Sequence, residues 1–351
     1  MSTRISVEDL RSYCIAVLTK AGLRPDNANI VADVLVMTDT WGTSSHGTGA
    51  LRNYVRALQA GGIDRNSTPE VVAEGDSWSV IDAHSGMGMP SCCMAMELAI
   101  TKARTNTIAW SGVRNSSHFG AAGYYANIAA EHDMIGISMS NADPNMVVPG
   151  ARTHTIGNNP LAYAVPVGKG HPILLDIALS AAAHGKIKSM KMLGQPIPST
   201  WVTDAEGTPT SDLSNWPETG SLMPMAGHKG YGIAMLVEII AGLLTGAGVL
   251  NEVKSWVFQP EVNASLGQAF IAINIGTIVP IEIFKERIDS MILQILQAPT
   301  AKGSNRIYMP GELEWEKRED ALKSGIPLPE TVISSLRQVG EELGIKTNFL
   351  D

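Results

Sequence analysis

The feature that most constrains this chain is a change of hydrophobic period near Val71. Before it, apolar residues recur three and four positions apart, which marks helices with one buried face. Leu10, Tyr13, Cys14, Val17 and Leu18 form one such stripe, opened by Ser6 with Asp9 three residues on and closed at Gly22. Pro25 and Asp26 open a second, which carries Ile30, Val31, Val34 and Leu35 to near Gly42. Leu51, Tyr54, Val55 and Leu58 form a third, ended by Gly61 and Gly62. After Val71, short β-like runs stand at 79–82, 108–113, 134–140, 161–165, 173–177 and 269–274, and helical segments at 91–106, 121–132, 181–193 and 231–245 separate several of them. Helical spacing returns at 281–296, 312–324 and 329–343. The pattern predicts an α+β (mixed α/β) fold. A helical domain is expected from residues 1–75 with 280–351, its terminal helices packing back on the N-terminal ones, beside a mixed-sheet domain over 76–279.

At 351 residues the chain can hold two domains, and a hydrophobic share of 44% can fill their cores. A formal charge of -8 argues against a nucleic-acid surface but not against a small anionic substrate, which a few local cations can hold. Cys14, Cys92 and Cys93 make neither a disulfide framework nor paired zinc spacing, and the first ten residues contain no apolar signal core, so a reduced, cytoplasmic protein is expected. The apolar run 231–250 is long enough for a bilayer. With Glu238 in its middle, four glycines and no cationic flank after it, it reads instead as a buried core helix.

Three histidines sit on glycine-flanked loops: His46 between two helical stripes, His118 between a strand and a helix, and His228 just before the apolar helix. Working residues concentrate in such places, but histidine is also a common turn or cap residue there, so residue type alone leaves both roles open. No metal site is expected: H-E-x-x-H and H-x-H are both absent. G-x-S-x-G and the G-x-x-x-x-G-K-[ST] phosphate loop are absent too, and Ser45 and Ser117 are sequence neighbours of their histidines rather than facing them. The dinucleotide fingerprint fails at its third glycine, since Gly86-Met87-Gly88 is followed by Pro90 and Ser91. If a dinucleotide binds, its phosphates need other backbone amides; the turns at 118–121 and 227–231, each leading into a helix, are the candidates.

At these residues the chain resembles the malate/L-lactate dehydrogenase family of the non-Rossmann type, from about Leu10 to Arg318. The resemblance is carried by Ser45-His46-Gly47 with Tyr54 downstream, Ser117-His118-Phe119-Gly120-Ala121, the run from Gly136 to Pro144, Gly157-Asn158-Asn159-Pro160-Leu161-Ala162, Leu175-Asp176-Ile177-Ala178, Gly227-His228-Lys229-Gly230-Tyr231-Gly232 and Tyr308-Met309-Pro310-Gly311-Glu312. Each segment is short; their joint occurrence in order is specific.

The resemblance implies a homodimer that transfers a hydride between a nicotinamide cofactor (NAD, with NADP possible) and a small 2-oxo or 2-hydroxy acid. It implies cofactor contacts at His118, Gly120, Ala121, Asp176, Ile177, Ala178, His228, Lys229, Gly311 and Glu312. His46 and His118 are the candidate acid/base, because imidazole titrates near neutrality. Asp143 is either an orienting carboxylate or a turn residue before Pro144. Ser45, Arg52 and Tyr54 are the expected substrate contacts. Arg52 enters because Ala50 stands where the family usually carries an arginine, four residues after the first motif histidine. That departure keeps open a second reaction, reduction of a cyclic imino acid C=N bond; a dinucleotide sensor without chemistry is the third reading.

Overall fold

The computed structural model describes residues 3–346 and 349. Ser6 caps the first helix, its Oγ accepting from the Asp9 N–H at 3.0 Å. A short strand β1 (Arg4–Ile5) leads into α1 (Val7–Lys20), α2 (Pro25–Thr40) and, after a 3-10 turn at Thr48–Ala50, α3 (Leu51–Ala60), which ends on Gly61 in the left-handed region at φ 95°. Then come β2 (Glu70–Glu74), β3 (Trp78–Asp82), α4 (Gly88–Asn106), β4 (Ile108–Ser116), α5 (Ala122–Ala130) and β5 (Met134–Ser140). A small ribbon, β6 (Met146–Val147) with β7 (His154–Ile156), precedes β8 (Leu161–Val165), β9 (Ile173–Ile177) and α6 (His184–Met192). A second ribbon, β10 (Val202–Thr203) with β11 (Pro209–Thr210), precedes α7 (His228–Val237), which runs into a π-helical turn at Glu238–Leu243. β12 (Leu266–Asn274), α8 (Ile281–Leu296), α9 (Glu312–Ser324), β13 (Ile326–Pro327) and α10 (Glu330–Leu343) complete the chain.

The three N-terminal stripes meet α10 in one apolar core containing Leu10, Leu18, Val31, Leu35, Leu51, Tyr54, Ile333 and Leu336. β1 pairs with β13, and the Tyr13 hydroxyl donates to the Leu336 carbonyl at 2.5 Å, so the two chain ends are joined. α9 packs on α2 through the edge-to-face pair Trp41–Trp315. The third terminal helix departs from the expectation. α8 does not join this core: Asp289 accepts from the Gly168 N–H, Lys285 pairs with Asp133, and Ile288 is the helix's one buried residue. Its apolar residues Ile283, Met291, Leu293, Ile295 and Leu296 are left exposed.

Seven strands form one sheet in the order β2-β3-β4-β12-β5-β8-β9. Only β3 and β4 are parallel, joined through α4; every other neighbouring pair is antiparallel. This is a mixed sheet, unlike the doubly wound parallel sheet of a Rossmann domain. Its two faces follow from strand period: along β12, Phe270 and Ala272 pack toward α4 and α5, while Ala269 and Ile271 pack toward α7. Gly267 lets the π-turn lie on the sheet, since a Cβ there would come within 1.9 Å of the Ala241 carbonyl. The edge strand β2 escapes the sequence pattern because its residues lack buried alternation. No helix among the described residues is long and apolar enough to cross a membrane. Glu238 is buried as a fully bonded carboxylate, accepting from Asn159 Nδ2 and the Leu250 N–H, each at 2.8 Å.

Candidate active site

The first candidate loop is fixed from beneath. Asp39, in the last turn of α2, accepts on Oδ2 from the Thr48 N–H at 2.9 Å and the Thr48 hydroxyl at 2.5 Å. Gly47 permits this approach, because a Cβ there would lie 2.2 Å from Asp39 Oδ1. The connector therefore folds tightly over α2 and projects His46 toward His118, with ring centres 5.6 Å apart. Ser45 Oγ lies 3.1 Å from His46 Nδ1, and Gly185 at the start of α6 approaches Ser45 from the other side.

The second loop is fixed by α4. Ser117 Oγ accepts from the Gly88 N–H at 3.0 Å, and a Cβ on Gly88 would clash with the Ser117 carbonyl at 2.4 Å. The helix start where a fingerprint motif would cradle a pyrophosphate is thus occupied by the chain's own loop, which explains why the third glycine is not needed. His118 follows, its Nδ1 2.5 Å from the hydroxyl of the fully buried Tyr54, with the Gly120 N–H directed at the same nitrogen from 3.4 Å. With two donors aimed at Nδ1, the neutral ring carries its proton on Nε2.

Both imidazoles are shifted toward the neutral form. The walls around His46 lower its pKa although the ring keeps an exposed edge, and burial with the adjacent His46 lowers that of the half-buried His118 to about 3. No arginine or lysine is among the groups that shift either ring, so the cause is desolvation rather than a resident cation. Asp143, half-buried after β5, is raised by burial, with Ser255 as hydrogen-bonding neighbour and His154 opposing the rise. The Asp143 loop is braced by Asn159, whose Oδ1 accepts from the Ala142 N–H at 3.0 Å.

The expected cofactor residues converge at the end of β9. Asp176 Oδ2 accepts from the Gly123 N–H at 2.7 Å, joining β9 to the start of α5 just after Gly120 and Ala121. Beyond Ile177 and Ala178, the Met225 N–H donates to the Leu179 carbonyl, which sets the strand's exit beside the start of α7 with His228 and Lys229. The Leu174 N–H donates to the Pro310 carbonyl, and Gly311 lies against Leu174 so closely that a Cβ would come within 2.7 Å. The Glu312 carboxylate folds back onto the Met309 N–H. Asp176 has an open edge, yet the walls around it push its pKa up to about 6, with the Gly123 N–H opposing.

One expected residue is not brought in. Arg52 turns to α10, where its Nη2 meets Glu342 Oε1 at 2.6 Å. The reason is helical: two residues from Tyr54 is more than half a turn, so the two side chains of α3 diverge. Three residues that sequence reading passed over take part. Ser255 and Trp256, in the loop before β12, reach Asp143 and His118 respectively, and Asp39 holds the His46 connector. A tryptophan in an otherwise unpatterned loop was the available signal for Trp256; Asp39 gave none, sitting on a helical stripe.

A family model described as malate/L-lactate dehydrogenase matches residues 5–337. The chain belongs to the malate/L-lactate dehydrogenase family. It is 38% identical to a malate dehydrogenase of Pyrococcus abyssi over 98% of this chain and 96% of that protein. With an L-sulfolactate dehydrogenase of Methanocaldococcus jannaschii it shares 35% identity over 96% of each chain. The solved malate dehydrogenase of Pyrococcus horikoshii superposes with a TM-score of 0.90 at 35% identity, covering 98% of this chain and 97% of that one. Membership makes the protein an oxidoreductase of the CH–OH class on the mixed-sheet fold. Within this family, the paired imidazoles and the Asp176 end of β9 are the features on which a substrate reading can be built.

Proposed function

We propose that this protein interconverts a small 2-oxo acid and its 2-hydroxy acid with a nicotinamide dinucleotide, His118 exchanging the proton with the substrate oxygen. The observation that carries this is the buried Tyr54 hydroxyl held 2.5 Å from His118 Nδ1. The cofactor supplies the hydride. The residues suit such a ligand: the first turn of α7 has no side-chain cap, a Cβ on Gly227 would meet open space, and Lys229 stands exposed beside it, a setting for a pyrophosphate. Asp176 suits a ribose hydroxyl, Ile177 and Ala178 flank it, and Gly120, Ala121, Gly311 and Glu312 line the approach.

A substrate carboxylate beside the two imidazoles would supply the anion that neither ring has, raising the pKa of His118 toward its working range. The Tyr54 hydroxyl serves both charge states, donating to neutral Nδ1 and accepting from the charged ring. Nε2 is left to face the substrate oxygen, with His46 and Ser45 opposite and Asp143 at the margin. The test is a panel of 2-oxo acids and cyclic imines offered with NADH and with NADPH. Coenzyme oxidation with 2-oxo acids, stronger with NADH, is the expected result; oxidation with imines alone would reassign the reaction to C=N reduction, and none at all would leave a binding protein.

The same reading includes a homodimer, and a division into the terminal-helix core and the sheet domain, with residues 281–296 on the sheet side. Leu236, Ile239, Leu243 and Leu244 form an exposed apolar stripe on α7 and its π-turn, suited to covering by a second copy. Sedimentation should give twice the chain mass, and Leu236→Glu with Leu243→Glu should yield monomers; a monomeric wild type would remove the dimer.

A further inference from the structure

We propose that Trp256 is the positioning residue of the proton-transfer pair, its indole covering the His118 and Tyr54 rings together and fixing the plane in which the imidazole meets the substrate. The inference rests on the functional reading above. Trp256 stacks on His118 at 4.6 Å and 17°, and on Tyr54 at 4.7 Å and 20°. The His118 and Tyr54 rings are 5.9 Å apart. Rings on opposite faces of an indole would stand roughly twice the stacking distance apart, so both lie on the same side of Trp256.

The Tyr54 hydroxyl fixes one atom of the imidazole; it does not fix the ring's rotation about that contact. A stacked plane supplies the second constraint, so hydrogen bond and stack together direct Nε2. Trp256 is itself held by the small cluster of Val253, Ala264 and Leu266 and by the terminal-helix core. One residue earlier, Ser255 is the neighbour of Asp143. A single loop thus links both candidate groups.

The titratable groups facing His118 are His46 from the connector and Tyr54 from α3, with Cys92 of α4 behind Tyr54. Trp256 adds no charge. It acts on the titration in two opposed ways: its face favours an imidazolium, and its bulk excludes water. Water exclusion acts in the same direction as burial, the leading cause of the lowered pKa.

The test compares Trp256→Phe and Trp256→Leu in the full chain; Leu fills space without a ring. Proton NMR follows the His118 imidazole, identified by its loss in His118→Asn. In Trp256→Leu the titration should rise by about one pH unit or more toward about 6.5. Its kcat on whichever 2-oxo acid the wild type reduces should fall about tenfold with NADH affinity unchanged, and Phe should recover most of both losses. Should Leu not fold, Trp256→Met takes its place. An unmoved titration, or equal losses in the Phe and Leu variants, would overturn the proposal. If the wild type reduces nothing in the panel, the functional reading fails while the titration still decides the role of Trp256.

Discussion

Replacing His118 by alanine should lower kcat for 2-oxo acid reduction by about two orders of magnitude or more, the usual size of a positioned proton donor's contribution. Two arrangements make His118 the larger loss. Its Nδ1 is committed to the buried Tyr54 hydroxyl, which leaves Nε2 as the reacting nitrogen, whereas His46 Nδ1 meets only the exposed Ser45. His46 is also the charge that helps depress His118, so His46→Ala should shift the acid limb of the kcat/KM profile upward as well as weakening turnover. Tyr54→Phe should lose less than His118→Ala, because the ring and its packing remain. Steady-state kinetics from pH 5 to 9 separate these outcomes. Full activity in both histidine variants would remove imidazole from the mechanism; loss confined to His46→Ala would exchange the two roles.

The second large effect concerns stability. Asp39 is buried with no cation beside it, and burial raises its pKa to about 7 while the two Thr48 bonds oppose the rise. Its folded pKa therefore lies above the unfolded value of about 3.9. A group of this kind keeps its full contribution below the unfolded value and loses it as pH rises through the folded one. Ionising Asp39 should thus weaken the fold progressively between about pH 4 and pH 7, by up to about 4 kcal/mol for a shift of roughly three units. Asp39→Asn keeps an acceptor for Thr48 and cannot ionise. In urea denaturation it should match or exceed the wild type at pH 8 and gain nothing at pH 4. Asp39→Ala, which strands the Thr48 donors over a cavity, should destabilise at both pH values. A pH-independent difference between wild type and Asp39→Asn would show that the carboxyl is not the titrating group. His118 runs the other way: its folded pKa of about 3 lies below the unfolded value, so its contribution is lost as pH falls from about 6.5 toward 3.

Much of the fold was legible because period and burial coincide. The runs at 134–140, 161–165 and 173–177 became β5, β8 and β9 with the same bounds, and 281–296 and 312–324 became α8 and α9. In the strands and in α8, apolar residues recur at the spacing of the element they form. Where the interior is not reached, the signal fades: β2 is an exposed edge that the pattern does not show. The spacing of α8 gives a helix but not its place, since it contributes no residue to the terminal-helix core. The start of α4 was read three residues late because Pro90 suggests a break, though proline in a first turn lacks only an N–H that needs no helical partner.

The candidate site divides the same way. His46 and His118 stand out in the sequence because histidines sit beside glycines on loops, and the glycines have local causes: Gly47 clears Asp39, and Gly88 clears Ser117. Asp176, inside β9 between Leu175 and Ile177, and Lys229 are candidates only through the family resemblance. Order along the chain and local period were enough to give the helical ends, the strands and the loops that carry the imidazoles. That the Tyr54 hydroxyl meets Nδ1 across 64 positions, that Arg52 turns away to Glu342, and that an indole from before β12 lies over both rings were settled only by packing. A residue's neighbours along the chain set its backbone. Its partners across the interior depend on which surfaces bury one another, and no local pattern records that.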